Sequence, residues 1–426
     1  MMNYIYNLQS YISKEAFSGI LLFFATLMAV IIANSTLSAS YFELWNMPFG
    51  LSLGTHSISM SLTHWIDDGL MALFFLMVGL EIKRELLLGE LYSVQKASFP
   101  LVGAIGGMVI PALVYVSLNT DNPLGFGIPM ATDIAFALGI LMLLGKRVNP
   151  MLKLFLVALA VVDDLGAVLI VATVYTNELH LEYVIHVVII YSTIWILNIK
   201  GFKSLGVYLL LGVVLWIYIH AIGIHATIAG VMLAFAIPIR SKIDEDRFIK
   251  ESGEALEKFK RHRDPIPMLN NKQVNALEQI AYGYDRVQNP LVRLEHNLHN
   301  FSAFLIMPLF AFSNAGVIID FASVSTHINI VLGVILGLII GKPIGIFGFT
   351  YIATKLRIIK KPNGLSWSEV LAVGFLGGIG FTMSIFITHL AFIDNTIIDA
   401  VKLGIFIASF ISAIIGVSLI LSIKKR

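Results

Sequence analysis

The sequence contains no cysteine and little charge: Asp, Glu, Lys and Arg make up 13% of its 426 residues, against about 25% in an ordinary soluble domain. Without thiols there are no disulfides, thiolate nucleophiles or zinc–cysteine sites. A net charge of +2 supplies no basic field for nucleic acid, and no nucleic-acid partner and no cofactor are expected. What the chain has in abundance is apolar sequence, at 57%. Runs of 18 or more apolar residues recur along its length, too many for one soluble core and long enough to cross a bilayer. Lipid cannot satisfy backbone polar groups, so the spans are expected to be helices and the fold class all-α polytopic membrane protein.

Twelve spans are expected, near residues 17–37, 64–87, 98–118, 124–144, 152–176, 181–199, 203–219, 221–239, 296–318, 327–354, 367–391 and 397–422. They divide the chain into spans one to eight (1–239), a charged insert (240–293) and spans nine to twelve (294–426). Met1 to Lys14 has no small-residue cleavage site, so no removable signal peptide is expected. Tyr41 to Ser61 alternates in polarity and carries Pro48 and Gly50, which predicts a hairpin on the outer surface. Twenty-seven of the 29 basic residues fall on one side of a twelve-span arrangement, which places both termini in the cytoplasm. The exceptions are Lys342, inside a span, and Lys402, near the start of the last. The insert mixes eleven basic with nine acidic residues and reads as a cytoplasmic linker with helices over Asp244 to Arg263 and Lys272 to Arg286.

Each ionisable residue in mid-span costs roughly 2.5–3.5 kcal/mol, so Asp133, Asp163, Asp164 and Lys342 together cost about 10–14 kcal/mol and are functional candidates. Asp163 and Asp164 are adjacent, in Val162-Asp-Asp-Leu-Gly166, and neighbouring positions on a helix point about 100° apart. Two close carboxylates repel when ionised, and one holds its proton to high pH. A small hard cation with oxygen ligands relieves the same repulsion. Proton loss and cation binding then compete for the same oxygens, which is the physical basis of antiport. Gly127, Pro129 and Thr132 precede Asp133 and favour an interrupted fourth span, with Asp133 facing a positive helix end. The stretch Gly374-Phe-Leu-Gly-Gly-Ile-Gly-Phe-Thr-Met-Ser predicts a matching break in span eleven, and two such breaks point to inverted repeats. Lys342 needs a carboxylate partner, and both Asp163 and Asp133 are open to it.

Weaker candidates lie near the span ends. His225 starts the eighth span, and Glu295, His296 and His299 start the ninth; histidines there suit pH sensing. Glu81, Lys83, Arg84 and Glu85 end the second span, and Asp67 and Asp68 begin it as helix-start residues.

Six motifs, in order, carry a resemblance: Gly79-Leu-Glu-Ile-Lys-Arg-Glu-Leu86, Ala131-Thr-Asp-Ile-Ala-Phe-Ala-Leu-Gly139, Val162-Asp-Asp-Leu-Gly166, Pro308-Leu-Phe-Ala-Phe-Ser-Asn-Ala-Gly316, Gly341-Lys-Pro-Ile-Gly345 and Gly377-Gly-Ile-Gly-Phe-Thr-Met-Ser-Ile-Phe386. In them the chain resembles the NhaA family of bacterial sodium/proton antiporters. The resemblance implies twelve helices with two crossed, interrupted ones, and a pH-activated Na⁺(Li⁺)/H⁺ exchanger in the inner membrane. It implies Asp163 and Asp164 as the cation and proton site, and Asp133 with Thr132 balancing the helix ends. Lys342 is then the counter-charge, and Glu81, Lys83, Arg84, Glu85, Glu295, His296 and His299 the pH-sensing region. It also implies that dimers can form through the outer hairpin. The insert at 240–293 departs from the family's pattern. Two rival readings are a cation channel, and an intramembrane aspartyl protease using Asp133 and Asp163. Against the protease stand the lack of a Gly-x-Gly-Asp stretch and the buried Lys342.

Overall fold

A computed structural model describes residues 14–53, 56–89, 92–176, 179–241, 243–261 and 268–423. The stretch before Lys14, Arg263, and the terminal Lys424, Lys425 and Arg426 lie outside the described residues.

The first helix, α1 (Lys14–Ala33), begins earlier and ends sooner than its apolar run suggests. The expected hairpin is shorter than Tyr41 to Ser61. Ser38–Asn46 forms a helix, α2, and only β1 (Pro48–Leu53) and β2 (His56–Ser61) pair, antiparallel, with Pro48 opposite Ser61. Pro48 is where helix gives way to strand, since its ring disfavours the helical conformation of the residue before it. A π-helical turn, Trp65–Leu70, then leads into α3 (Met71–Leu87), so Asp67 and Asp68 sit in that turn rather than at a plain helix start.

Next come α4 (Val94–Leu118), a 3₁₀ segment at Pro123–Met130 and α5 (Ile134–Leu143). The fourth run is therefore interrupted: residues 131–133 are non-helical. Asn149, with Pro150 at the first helical position, starts α6 (Pro150–Thr173), the cap-plus-proline entry that leaves fewest orphan N–H groups. The chain continues through α7 (Val184–Ile199), α8 (Leu205–Ile222) and α9 (Thr227–Ala236). The eighth run is thus helical over ten residues only. Gly223, at φ +93°, makes the left-handed turn between α8 and α9.

The insert folds as α10 (Glu245–Arg261) and α11 (Asn271–Val287), in contact with each other. Phe248 of α10 lies over Gly283 of α11. The ninth run is broken by a π turn, Ser302–Ile306, between α12 (Pro290–Phe301) and α13 (Met307–Asn314). The tenth comprises α14 (Ile328–Leu336), a π turn at Gly337–Gly341 and α15 (Lys342–Lys355). The eleventh is a bent pair, α16 (Trp367–Gly377) and α17 (Phe381–Ala391), which meet at 46°. The last is α18 (Asn395–Ser422).

Among the described residues eight helices are long and apolar enough to cross a membrane, or nine with the bent pair. The other three expected runs are the short α9 and the π-interrupted runs around α3 and α12–α13.

The core is held by close backbone approaches. A Cβ on Gly345 of α15 would meet the Gly106 carbonyl oxygen of α4 at 2.0 Å, and one on Gly106 would meet the Gly345 oxygen at 2.2 Å. Such small-residue seams bring helix backbones together where lipid supplies no hydrophobic drive for association.

Candidate functional site

The two breaks meet in the middle of the molecule. The backbone N–H of Asp133 donates to the Ile379 carbonyl at 2.8 Å. The Asp133 carboxylate caps both interrupted helices at once. It accepts from the Phe136 N–H of α5 at 2.9 Å. It also accepts from the Thr382 N–H of α17 at 3.1 Å and from the Thr382 hydroxyl. One buried carboxylate therefore satisfies orphan donors at two helix N-termini, where a negative charge is favoured. This explains why the second break needs no aspartate of its own.

Lys342 follows the π turn Gly337–Gly341, a local widening often found where a side chain has a task. Between the candidates Asp163 and Asp133 the structure selects Asp163: Lys342 Nζ lies 2.9 Å from Asp163 Oδ2. The ammonium also donates to the Met130 carbonyl at the first break. Lys342 is 0% exposed and Asp163 2%, so the pair is shielded from bulk water. The Thr132 hydroxyl lies 2.9 Å from both Asp163 Oδ2 and the Gly377 carbonyl oxygen. A hydroxyl has one proton to donate, so Thr132 joins the α6 carboxylate to whichever of these acceptors is the better at the moment.

Two features of the carboxylates are unusual. Asp163 Oδ1 is buried and has no hydrogen-bond partner among the described residues. Asp164, buried beside it on α6, makes no hydrogen bond with a described residue. Buried polar groups are ordinarily bonded, and each exception needs a reason. Here the spare acceptors belong to two adjacent carboxylates, and the chemistry they are free to do is to take a proton or a cation. Among the described residues no group of three or more His, Asp or Glu side chains is arranged to hold a metal.

Two polar clusters lie away from this centre. In the first, Arg84 of α3 is 2.9 Å from Glu295 of α12 and 2.9 Å from Glu85, while Glu81 stands one turn before Glu85. Lys83 does not join this cluster; its ammonium caps the end of α9, donating to the Phe235 carbonyl at 2.7 Å. His296 and His299 are exposed on α12 and make no side-chain hydrogen bond with a described residue. In the second cluster, Asp68 stands 3.5 Å from both His220 and His225. His225 Nδ1 lies 2.9 Å from the Thr227 hydroxyl, and Asn314 donates to Asp67 at 2.7 Å.

Sequence reasoning missed Thr382, Ser384, His220 and Asn314. Ser384 donates to the Ile128 carbonyl at 2.8 Å, across from α17 to the 3₁₀ segment. The available signal was a run of hydroxyl residues, Thr382, Ser384 and Thr388, inside an apolar span, two of which serve the breaks.

Residues 9–420 match the model of the family described as Na+/H+ antiporter 1. A protein of Aliarcobacter butzleri named Na(+)/H(+) antiporter NhaA 1 is 63% identical over 413 residues, covering 97% of this chain and 96% of the relative. A second A. butzleri protein, named NhaA 2, is 60% identical over 426 residues and 100% of this chain, so the 240–293 insert lies within the matched length. A Helicobacter pylori protein named Na(+)/H(+) antiporter NhaA is 50% identical over 426 residues, covering 98% of this chain and 96% of its own.

Proposed function

The chain belongs to the Na+/H+ antiporter 1 family, and on that premise we propose that it is a pH-regulated, electrogenic Na⁺(Li⁺)/H⁺ antiporter of the bacterial inner membrane. The observation that carries this reading is the pair of buried, adjacent carboxylates with spare oxygens: Asp163 Oδ1, and Asp164 with no hydrogen bond to a described residue. Asp164 and Asp163 bind the cation after losing their protons. Lys342 holds the site together while Asp163 is ionised and no Na⁺ is bound, since a buried ammonium and carboxylate that face each other at 2.9 Å offset one another's desolvation. Thr132 and Asp133 fix the two breaks against which the site is built.

Twelve spans accommodate the chain, with both termini cytoplasmic and the two interrupted spans crossing at Asp133. Spans two, eight and nine are then completed by the π-interrupted and short helices. The Arg84–Glu295 pair joins α3 to α12, so protonation of Glu81, Glu85, Glu295, His296 or His299 alters how those helices sit. That group, with Lys83 and His225, is the pH-responsive part of the molecule. The β1–β2 hairpin is the surface through which two copies pair.

The test is purified protein in sealed vesicles with a pH-sensitive dye inside. Adding Na⁺ or Li⁺ outside, with no potential imposed, must move protons, whereas K⁺ must not. Sodium entry unaccompanied by proton movement would make the protein a channel and sink the proposal. Cleavage of a peptide in the same preparation would instead mark an aspartyl protease.

A further inference from the structure

We infer that a groove between α1, α5 and α18 is a binding site for one phospholipid acyl chain, seated against the break in the eleventh span. The groove encloses about 870 Å³ and its walls include Phe23, Leu27, Phe136, Phe406, Phe410 and Ala413. All three of its walls belong to segments long and apolar enough to cross the membrane, so it opens to hydrocarbon, where chains of lipid are the abundant occupant. Its length points to the same occupant. It follows α18 from Phe406 to Ser418, about 18 Å of helix at 1.5 Å per residue, against roughly 15 Å for the hydrocarbon of one leaflet. On α18 the groove lies toward the end at Ser422, and along α1 it runs from Gly19 to Val30.

The groove exists because its floor is made of the smallest residue. Gly19 of α1 and Gly139 of α5 approach so closely that a Cβ on Gly139 would sit 2.9 Å from the Gly19 Cα. Larger side chains flank this contact and stand up as the walls. The inner end is the broken span itself. Phe381, the first residue of α17, has φ +26°, a conformation that a bulky residue adopts only under constraint. Its N–H donates to the Ser409 hydroxyl at 3.2 Å. Its ring packs on Phe136 at 4.8 Å and on Phe406 at 5.7 Å between centroids. The next residue, Thr382, holds Asp133. A chain in the groove therefore leans on the residue next to the one that ties the two breaks together. The inference requires only that the protein lies in a bilayer, and it stands or falls independently of which ion is carried.

The experiment uses the full chain in vesicles containing a phospholipid with a photoactivatable diazirine midway along one acyl chain, and maps the adducts by peptide mass spectrometry. Ile185 and Val188 of α7 and Leu210 of α8 are exposed apolar positions outside the groove and serve as the reference for passing lipid. Labelling of Phe23, Leu27, Phe406 and Phe410 is expected to exceed the reference severalfold. Ala413→Trp, which fills the groove, must bring it down to the reference level while labelling of α7 and α8 stays constant. Ile407→Trp, at the groove's rim, must act in the same direction, so that one poorly folding variant does not decide the matter. Equal labelling of groove and reference in the native chain, or labelling unchanged by both tryptophans, would overturn the inference.

Discussion

Asp163 has two oxygens with opposite fates. Oδ2 takes the Lys342 ammonium and stands beside Thr132, while Oδ1 is buried without a partner among the described residues. Replacing Asp163 or Asp164 by Asn keeps the shape of the side chain but removes the charge that both Na⁺ and H⁺ require. Either variant is expected to abolish sodium-driven proton flux in vesicles while still inserting in the membrane; near-normal flux in both would eliminate the carboxylate mechanism. Lys342→Ala strands the Asp163 carboxylate in a dry site, and breaking a buried pair in this way costs about 3–5 kcal/mol. Thermal unfolding in detergent should show that loss. Combining Lys342→Ala with Asp163→Asn removes both charges and is expected to restore most of the lost stability. A double variant as unstable as Lys342→Ala alone would mean that the lysine acts through packing and not through the pair. Sequence made Lys342 conspicuous but left its partner open, because the choice between Asp163 and Asp133 depends on how α6 and α15 are placed against the breaks. Asp133, already occupied by Phe136 and Thr382, leaves Asp163 as the carboxylate that faces the ammonium.

At the scale of elements, the two breaks are held by few atoms. Thr382→Val removes the hydroxyl donor from Asp133 but keeps the backbone N–H on the same oxygen, so thermal unfolding should show the loss of one hydrogen bond to a charged group, about 1.5–3 kcal/mol. The helix seams are still less tolerant. Gly345→Val places a branched side chain where even a Cβ would lie 2.0 Å from the Gly106 oxygen, so α4 and α15 must separate and carry Lys342 with them. Transport and thermal stability should fall together. Gly348→Ala, on the same helix with nothing within 4 Å of the added Cβ, should leave both intact, since alanine favours a helix by about 0.5–1 kcal/mol over glycine. Equal effects of the two changes would remove the seam as the explanation. The breaks themselves were legible from Gly127, Pro129 and the glycines at 377, 378 and 380. Less legible were the runs that stop short of a full helix. Nothing local announces the π turns at Trp65–Leu70 and Ser302–Ile306, because they arise where tertiary contacts widen an otherwise ordinary helix. Tyr41 was read into the hairpin by its alternating neighbours, yet it lies on α2, where its hydroxyl donates to the Phe312 carbonyl of α13. That contact, distant in sequence, outweighs the local pattern.

For the molecule as a whole, the arrangement of charges sets the energetics of the cycle. If Asp163 and Asp164 must both lose a proton before one Na⁺ binds, each turn moves two positive charges one way and one the other. Net charge then follows the protons, and the membrane potential drives exchange by about 2.3 kcal/mol per 100 mV, a factor of about fifty in the sodium ratio reached at equilibrium. The same competition sets the sign of the pH effect. Protons occupy the oxygens as pH falls, so apparent sodium affinity must fall with it, by as much as about a hundredfold per unit where both carboxylates titrate and about tenfold where one does. Both consequences are read in one preparation. Sodium-driven proton flux is measured in vesicles with the potential clamped at zero, then positive or negative on the side that the protons enter. A negative potential on that side should speed the exchange and shift its end point, and a positive one should oppose it. Flux and end point indifferent to potential, with a tenfold affinity change per pH unit, would mean one proton for each sodium, and would leave one of the two carboxylates out of the cycle.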